Sequence, residues 1–167
     1  GLFNTIGFDP TKEVPAPLLL ASPFSGRSSL GFDAMEIYTS ASIGELQQAR
    51  NDWFGLLNQG IFKTATAVSD SHRAIVEAAG FPRSYVAVPT DVPAEVTDQD
   101  LVEGVKSGNV LGTSGPYIRL SIDGRPIGST IRKSRGAPIT VRLEVDAPAW
   151  VPVDEVLLLE NGRVIRA

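Results

Sequence analysis

The stretch TATAVSDSH, residues 64–72, decides how this chain is interpreted. Its small and β-branched residues predict a short buried strand, which ends in a tip formed by Asp70, Ser71 and His72. Side chains two residues apart on a strand point to the same side, so a carboxylate and an imidazole would meet where the strand ends. Both groups bind divalent metals, and His72 is the only histidine in the sequence.

A second interpretation of this tip needs no metal. Asp70 or Ser71 would cap a following helix, and His72 would lie in its first turn. A catalytic zinc site also takes about three protein ligands, and two are seen here. The sequence contains no cysteine and no other histidine, so further ligands would be Asp or Glu, or would come from outside the chain.

The residues before the tip predict a strand followed by a helix. Residues 32–38 (FDAMEIY) alternate in polarity and indicate a strand. Residues 42–59 carry apolar side chains at helical spacing, with Ser42 and Glu45 placed as a capping box and Trp53 on the apolar face, where we expect it in the core. Strand, helix and strand in this order predict a parallel pair.

The residues after the tip continue the same alternation. We expect a short helix over residues 72–79, a strand over 84–88, and a helix over 97–105 that Thr97 and Asp100 cap. Residues 32–107 thus indicate repeated β/α units. Active sites in such folds lie at the carboxyl ends of strands, which is where the sequence places the tip.

Two further charged residues are candidates for a functional site. Glu36 lies within the first predicted strand and faces either a site or the solvent. Arg27 lies in an irregular segment, residues 1–31, where we expect a long connecting loop with one helical turn near 18–21. Long loops often carry function, so Arg27 is either a substrate contact or a solvated side chain.

The pattern changes after residue 110, where alternating strands and turns replace helices. This predicts an antiparallel, sandwich-like β segment and a boundary near residues 112–116, which divides the chain into residues 1–112 and 113–167. The Gly-Thr-Ser-Gly-Pro run at the boundary is interpreted as a turn rather than as a phosphate-binding loop. The predicted strands cover residues 117–122, 139–145 and 155–159, with turns at 123–124 and 161–162.

The composition narrows the classes of function. Hydrophobic residues make up 43% and charged residues 20%, which is typical of a soluble globular protein. The net charge of −4 provides no basic surface for nucleic acid, and no apolar run is long enough to span a membrane. The sequence does not distinguish a cytoplasmic protein from an exported one. Because the chain begins with Gly1 and ends just after a turn, we expect it to be part of a longer protein.

The chain resembles the C-terminal half of a metallohydrolase of the PHP superfamily (polymerase and histidinol phosphatase), and within it the CehA/McbA-like branch. The resemblance rests on several ordered pieces that, with their spacers, cover about half of the chain. The β segment that follows also resembles the β domain found after the catalytic domain in that branch. The matching pieces are FDAMEIYT (32–39), WFGLLNQG (53–60), TATAVSDSH (64–72), GFPRSYVAV (80–88) and DLVEGVKSGNVLGTSGP (100–116).

The resemblance implies a fold, a cofactor and a reaction. The fold would be part of a PHP-type (β/α)7 barrel, and the cofactor a cluster of divalent zinc, manganese or iron ions. Asp70 and His72 match the last metal-binding motif, Glu36 a glutamate that either binds metal or contacts a ligand, and Arg83 an anion or substrate contact. The reaction would be attack of metal-activated water on a small phosphoester or other ester.

The chain departs from the family at several motifs, because the earlier histidines of the metal cluster are missing. We expect them to precede Gly1 in a longer protein, so the chain would be inactive alone. Two hypotheses follow from this. The chain is part of a metal-dependent hydrolase, or it is a non-catalytic binding or assembly module with a degenerate metal site. Half a barrel would also leave an open strand edge through which two copies could pair.

Overall fold

The computed structural model describes residues 22, 24–27, 30–39 and 43–167. The first described elements are β1 (Ala34–Tyr38), α1 (Ile43–Asn58) and β2 (Thr64–Ala67). They are followed by β3 (Arg83–Val86), a 3-10 turn (Pro93–Glu95), α2 (Asp98–Lys106) and β4 (Val110–Thr113). The last part contains β5 (Tyr117–Ile122), β6 (Arg125–Pro126), β7 (Val141–Asp146), β8 (Leu158–Glu160) and β9 (Arg163–Arg166).

The first strand, helix and strand form the predicted parallel pair. Ala34 to Glu36 on β1 align with Thr64 to Thr66 on β2. Helix α1 packs against β1 through a small core in which Met35 and Leu56 are 4% and 3% exposed. Trp53 packs against this core, and its indole N–H donates to the carbonyl of Lys63 at 2.7 Å. The apolar face of α1 therefore fixes the helix over the sheet that carries the tip.

The predicted (β/α)7-type barrel is wrong. The described strands form sheets of two, two, three and two strands, and no barrel closes among them. Strands β3 and β4 are antiparallel, with Arg83 opposite Thr113 and Val86 opposite Val110. The alternation of strands and helices predicts a parallel pair for each strand–helix–strand unit. Here a long connection of residues 87–97 precedes α2, so the chain can reverse direction before β4. Strand β4 was not predicted.

The predicted helix over residues 72–79 is also wrong, because this segment forms turns. A helix this short needs tertiary packing on its apolar side. Ile75 and Val76, which would provide that side, are 96% and 69% exposed. In addition, the Glu77 carboxylate accepts the backbone N–H groups of His72 and Arg73, the groups that a cap at Asp70 or Ser71 would otherwise have to satisfy.

The cap predicted for the next helix is confirmed. The Thr97 side chain accepts the N–H of Asp100, and the Asp100 carboxylate accepts the N–H of Thr97 at 2.8 Å. These hydrogen bonds, first with the Thr97 side chain and then with its backbone, lower the pKa of Asp100 from its ordinary value of 3.8. Helix α2 therefore begins where the sequence predicts.

The last third of the described chain pairs in antiparallel fashion. Strand β5 lies between β6 and β7, and β8 pairs with β9 as a separate hairpin. The predicted sandwich is not what these strands form, and the fold class as predicted is wrong. The described residues make a mixed, sheet-rich fold of small sheets. Residues 114–116 make the predicted turn between β4 and β5, in which Thr113 Oγ accepts the N–H of Gly115 at 2.9 Å.

The carboxylate of Asp123 contacts two other segments in the last third of the described chain. Its carboxylate accepts the N–H of Thr140 at 3.0 Å and lies 2.6 Å from Lys133 Nζ. The hydrogen bond with the Lys133 side chain, followed by that with the Thr140 backbone, lowers the pKa of Asp123 from its ordinary value of 3.8. One carboxylate therefore links the β5–β6 turn, the long loop of residues 127–140 and the start of β7.

We expect Asp123→Asn to make folding less sensitive to acid. Because the pKa of Asp123 is lowered in the folded chain, its ionised form stabilises the fold above the pKa of the unfolded chain. That contribution disappears as the pH falls through the folded pKa, below about 4. The urea midpoints of both proteins at pH 7 and pH 3 measure the effect. An equal decrease for Asp123→Asn and the original chain would contradict the assignment.

Some predictions fall outside the described residues, namely the helical turn near residues 18–21 and the cap at Ser42. Of the predicted loop over residues 1–31, the structure describes a turn in which Ser22 N–H donates to the Arg27 carbonyl at 2.9 Å. Within the described ranges, neither helix has the length and apolarity needed to cross a membrane.

Candidate functional site

The Asp-Ser-His tip begins where β2 leaves its partner strand. The N–H of Val68, the residue after β2, donates to the Tyr38 carbonyl of β1 at 2.8 Å. Asp70 then adopts a left-handed conformation with φ of 48°. Aspartate tolerates this region better than most residues because its short carboxylate bonds locally. The backbone turns sharply at Asp70, so the tip lies beyond the carboxyl end of β2.

The structure brings the two predicted metal ligands into contact. His72 Nε2 lies 2.9 Å from Asp70 Oδ1. Both side chains face the solvent, with 75% of His72 and 60% of Asp70 exposed. A mobile ion can therefore reach both groups without opening the fold. The spacing of two residues in the sequence was the signal that led to this pair.

Glu77 holds the backbone of the tip on its other side. Its carboxylate accepts the N–H of His72 and, at 3.1 Å, the N–H of Arg73. The Arg73 guanidinium also lies 3.4 Å from the Glu77 carboxylate. These contacts replace the helix cap that formed the second interpretation of the tip. Sequence reasoning missed Glu77, because nothing in the spacing of His72 and Glu77 distinguishes a turn from a helix.

Ser84 holds the end of β2 from the neighbouring strand. Its hydroxyl donates to the Ala67 carbonyl and accepts the Ala67 N–H, each at 2.9 Å. Sequence reasoning missed this residue as well. A signal was present, because Ser84 occupies the same face of its strand as Val86 and Val88. A hydroxyl on an otherwise apolar face indicates a buried hydrogen bond.

Arg83, the predicted anion contact, is positioned by other residues. Its guanidinium donates to the Tyr85 hydroxyl at 3.1 Å and to the Gly80 carbonyl at 3.2 Å. Arg83 and Tyr85 are two residues apart, so they share the face of β3 opposite to Ser84. Because Ser84 faces β2, the structure places the Arg83 side chain on the outer face of β3. Its assignment as a substrate contact stays a prediction.

The remaining candidates are exposed. Glu36 lies on β1 opposite Thr66, and within the described ranges its carboxylate has no hydrogen bond or ion pair. Arg27 is exposed in the turn that begins at Ser22, where its N–H donates to the Ser25 hydroxyl at 3.3 Å. The structure does not join either residue to the tip through a contact.

Asp70 and His72 are therefore the residues that could hold a metal ion. Two ligands on one ion, each about 2.0–2.2 Å from it and about 90–109° apart, are separated by about 2.8–3.5 Å. The 2.9 Å between Asp70 Oδ1 and His72 Nε2 lies in this range, and it is also the length of the direct hydrogen bond that the two side chains make with each other. In the part of the chain that the structure describes, no group of three His, Asp or Glu side chains is placed to bind one ion.

Comparisons with protein-family models, with curated proteins and with solved structures find no match to this chain. The resemblance to the PHP superfamily therefore rests on the sequence pieces alone and stays a prediction.

Proposed function

We propose that this chain supplies two metal ligands, Asp70 and His72, to a metal-dependent hydrolase of small phosphoesters or other esters. The observation that carries the proposal is the 2.9 Å contact between the Asp70 carboxylate and the His72 imidazole at the end of a strand. The ordered pieces that resemble the CehA/McbA-like branch support the same reaction class. Zinc, manganese and iron are the metals that this resemblance implies, and carboxylate and imidazole groups are ligands for such divalent ions.

The chain's own residues have two tasks in this reaction. The His72 imidazole and the Asp70 carboxylate would hold the ion beyond the end of β2. The backbone at Asp70 is left-handed, and its carboxylate lies 2.9 Å from His72 Nε2, so that both groups can reach one ion. The bound ion would lower the pKa of a coordinated water and so supply hydroxide near neutral pH.

A complete catalytic site needs more than this pair. Catalytic zinc sites commonly take about three protein ligands. The described residues bring two of them together, so the proposal includes ligands from elsewhere. We therefore expect the chain alone to show no measurable hydrolysis of a model phosphoester in the presence of zinc.

We expect zinc to bind the chain at the tip and to change the single imidazole signal of His72 in an NMR titration. Asp70→Asn should weaken zinc binding about tenfold, because a carboxylate ligand becomes a neutral amide. The substitution suits this position, since asparagine tolerates the left-handed backbone as well as aspartate does. The midpoint of the titration measures the effect.

Asp154→Asn is the matched control, because it removes the same charge from an exposed aspartate elsewhere on the chain. It should leave the midpoint unchanged within twofold. A His72 signal that zinc leaves unchanged would overturn the proposal. So would equal midpoints for Asp70→Asn and the original chain.

A second candidate function is a non-catalytic binding or assembly module. The observation that favours it is that, within the described ranges, no third metal-binding side chain joins the pair. Under this function the tip would bind zinc no better than Asp70→Asn does, and pairing of two copies through an open strand edge would show as a dimer in sedimentation. The zinc titration separates the two functions.

A further inference from the structure

We infer that Ser84 is a positioning residue, which fixes the end of β2 and thereby the place of Asp70 and His72. The inference deepens the proposed function, from which it takes the metal-binding role of Asp70 and His72. Its observation is independent of the metal, because it concerns the hydrogen bonds between Ser84 and the backbone of Ala67. Ala67 is the last residue of β2, and Asp70 follows three residues later.

The two hydrogen bonds of Ser84 take the place of the backbone hydrogen bonds that a neighbouring strand would make with Ala67. The N–H of Val68 bonds to Tyr38 on β1, so the N–H and carbonyl of Ala67 face the other side of β2. Ala67 is 2% exposed, and water cannot satisfy these groups. Ser84 Oγ accepts from the N–H and donates to the carbonyl, each at 2.9 Å. One hydroxyl therefore satisfies both backbone groups and fixes the residue between them.

The end of β2 at Ala67 is packed closely against the β3–β4 pair. Gly112 lies opposite Ser84 on β4, and a Cβ at Gly112 would stand 2.8 Å from the Cβ of Ala67. The β3–β4 pair thus lies directly against the end of β2. The absence of a side chain at Gly112 is what allows the Ser84 hydroxyl to approach Ala67.

Hydrogen bonds from Ser84 and to Glu77 hold the backbone on both sides of Asp70. Ser84 fixes Ala67, three residues before the tip, and Glu77 accepts the N–H of His72 at its end. Between them the chain makes the left-handed turn at Asp70. If the Ser84 bonds are lost, the start of the tip can move relative to Glu77. The distance between the two ligands then varies, and an ion that needs both is bound less tightly.

The test compares Ser84→Thr with Ser84→Val, which have the same shape and differ by the hydroxyl alone. Zinc is titrated into each variant while the His72 imidazole signal is followed by NMR. Ser84→Val should weaken zinc binding about tenfold, as loss of a residue that orients ligands commonly does. Ser84→Thr should stay within about threefold of the original chain. The imidazole signal of Ser84→Val should also shift before any zinc is added.

Ser121→Ala is the control, because it removes a strand serine hydroxyl whose side chain bonds to none of the described residues. It should alter neither the signal nor the midpoint. Equal midpoints and unshifted signals for the threonine and valine variants would overturn the inference while zinc binding by the original chain upheld the proposed function. If no protein bound zinc, the proposed function would fail, and the metal-free imidazole signal would still decide whether Ser84 positions His72.

Discussion

Gly128→Ala is expected to destabilise the folded chain by about 3 kcal/mol or more. Gly128 has a φ of 85°, a conformation that costs an alanine about 1 kcal/mol. A Cβ there would also lie 2.5 Å from the carbonyl carbon of Gly108 and 2.6 Å from the carbonyl oxygen of Ser107. Both contacts are with backbone, so no side chain can rotate away. Overpacking of this kind costs a further 1–3 kcal/mol or so.

Gly136→Ala separates the two causes, because Gly136 has nearly the same backbone conformation in open space. Its φ is 81°, and nothing lies within 4 Å of a Cβ at that position. This variant should lose only about 1 kcal/mol. With a denaturant slope of about 2 kcal/mol per molar, the urea midpoints would fall by about 1.5 M for Gly128→Ala and about 0.5 M for Gly136→Ala. Equal midpoints would show that the close approach at Gly128 is absent in solution.

The Gly128 contact matters because it joins two parts of the chain that the sequence separates. Gly128 follows β6, whereas Ser107 and Gly108 end α2 on the other side of the predicted boundary near residues 112–116. A periodic pattern identifies which face of an element is buried, and it does not identify the distant loop that will lie on it. Contacts of this kind could not be predicted from the sequence.

Local features were predictable because local interactions determine them. The capping box of Thr97 and Asp100 uses residues three apart, and helix α1 follows an apolar face that the sequence displays directly. The contact between Asp70 and His72 was expected from strand alternation, but β2 ends at Ala67, and the left-handed turn at Asp70 takes the place of a strand where the pair meets. In each case the information lies within a few residues.

The wrong predictions concern features that depend on contacts between residues far apart in the sequence. Strand β3 has an ordinary strand pattern, whereas β4 overlaps the glycine-rich run interpreted as a turn, and their antiparallel pairing depends on how the chain between them turns. The segment 72–79 has helix-forming residues, but Ile75 and Val76 are 96% and 69% exposed, and Glu77 bonds to the backbone of His72. Ser84 and Ala67 are 17 residues apart, so the pattern around Ser84 indicates a buried hydrogen bond but does not identify Ala67 as its partner. The pairing of the strands and the contacts that support the site therefore depend on tertiary structure.

Gly104→Ala provides the second large expected effect, and it tests how closely α2 packs on β3. Alanine normally stabilises a helix by about 0.5–1 kcal/mol relative to glycine. Here a Cβ would lie 2.5 Å from Val86 Cγ1 and 2.6 Å from the carbonyl oxygen of Ala87. The methyl group of Val86 can shift, but the Ala87 carbonyl belongs to the backbone next to β3. The helix itself must move, and we expect a net loss of about 2 kcal/mol.

Val102→Ala on the same helix is the control for helix propensity, because Val102 is 45% exposed. Alanine there should leave stability unchanged or raise it slightly. Urea denaturation followed by circular dichroism compares the two variants. A midpoint for Gly104→Ala equal to that of Val102→Ala would mean that α2 stands farther from β3 than the structure places it. A decrease confined to Gly104→Ala would show that the missing side chain, rather than helix propensity, sets the approach of α2 to the strand that carries Ser84.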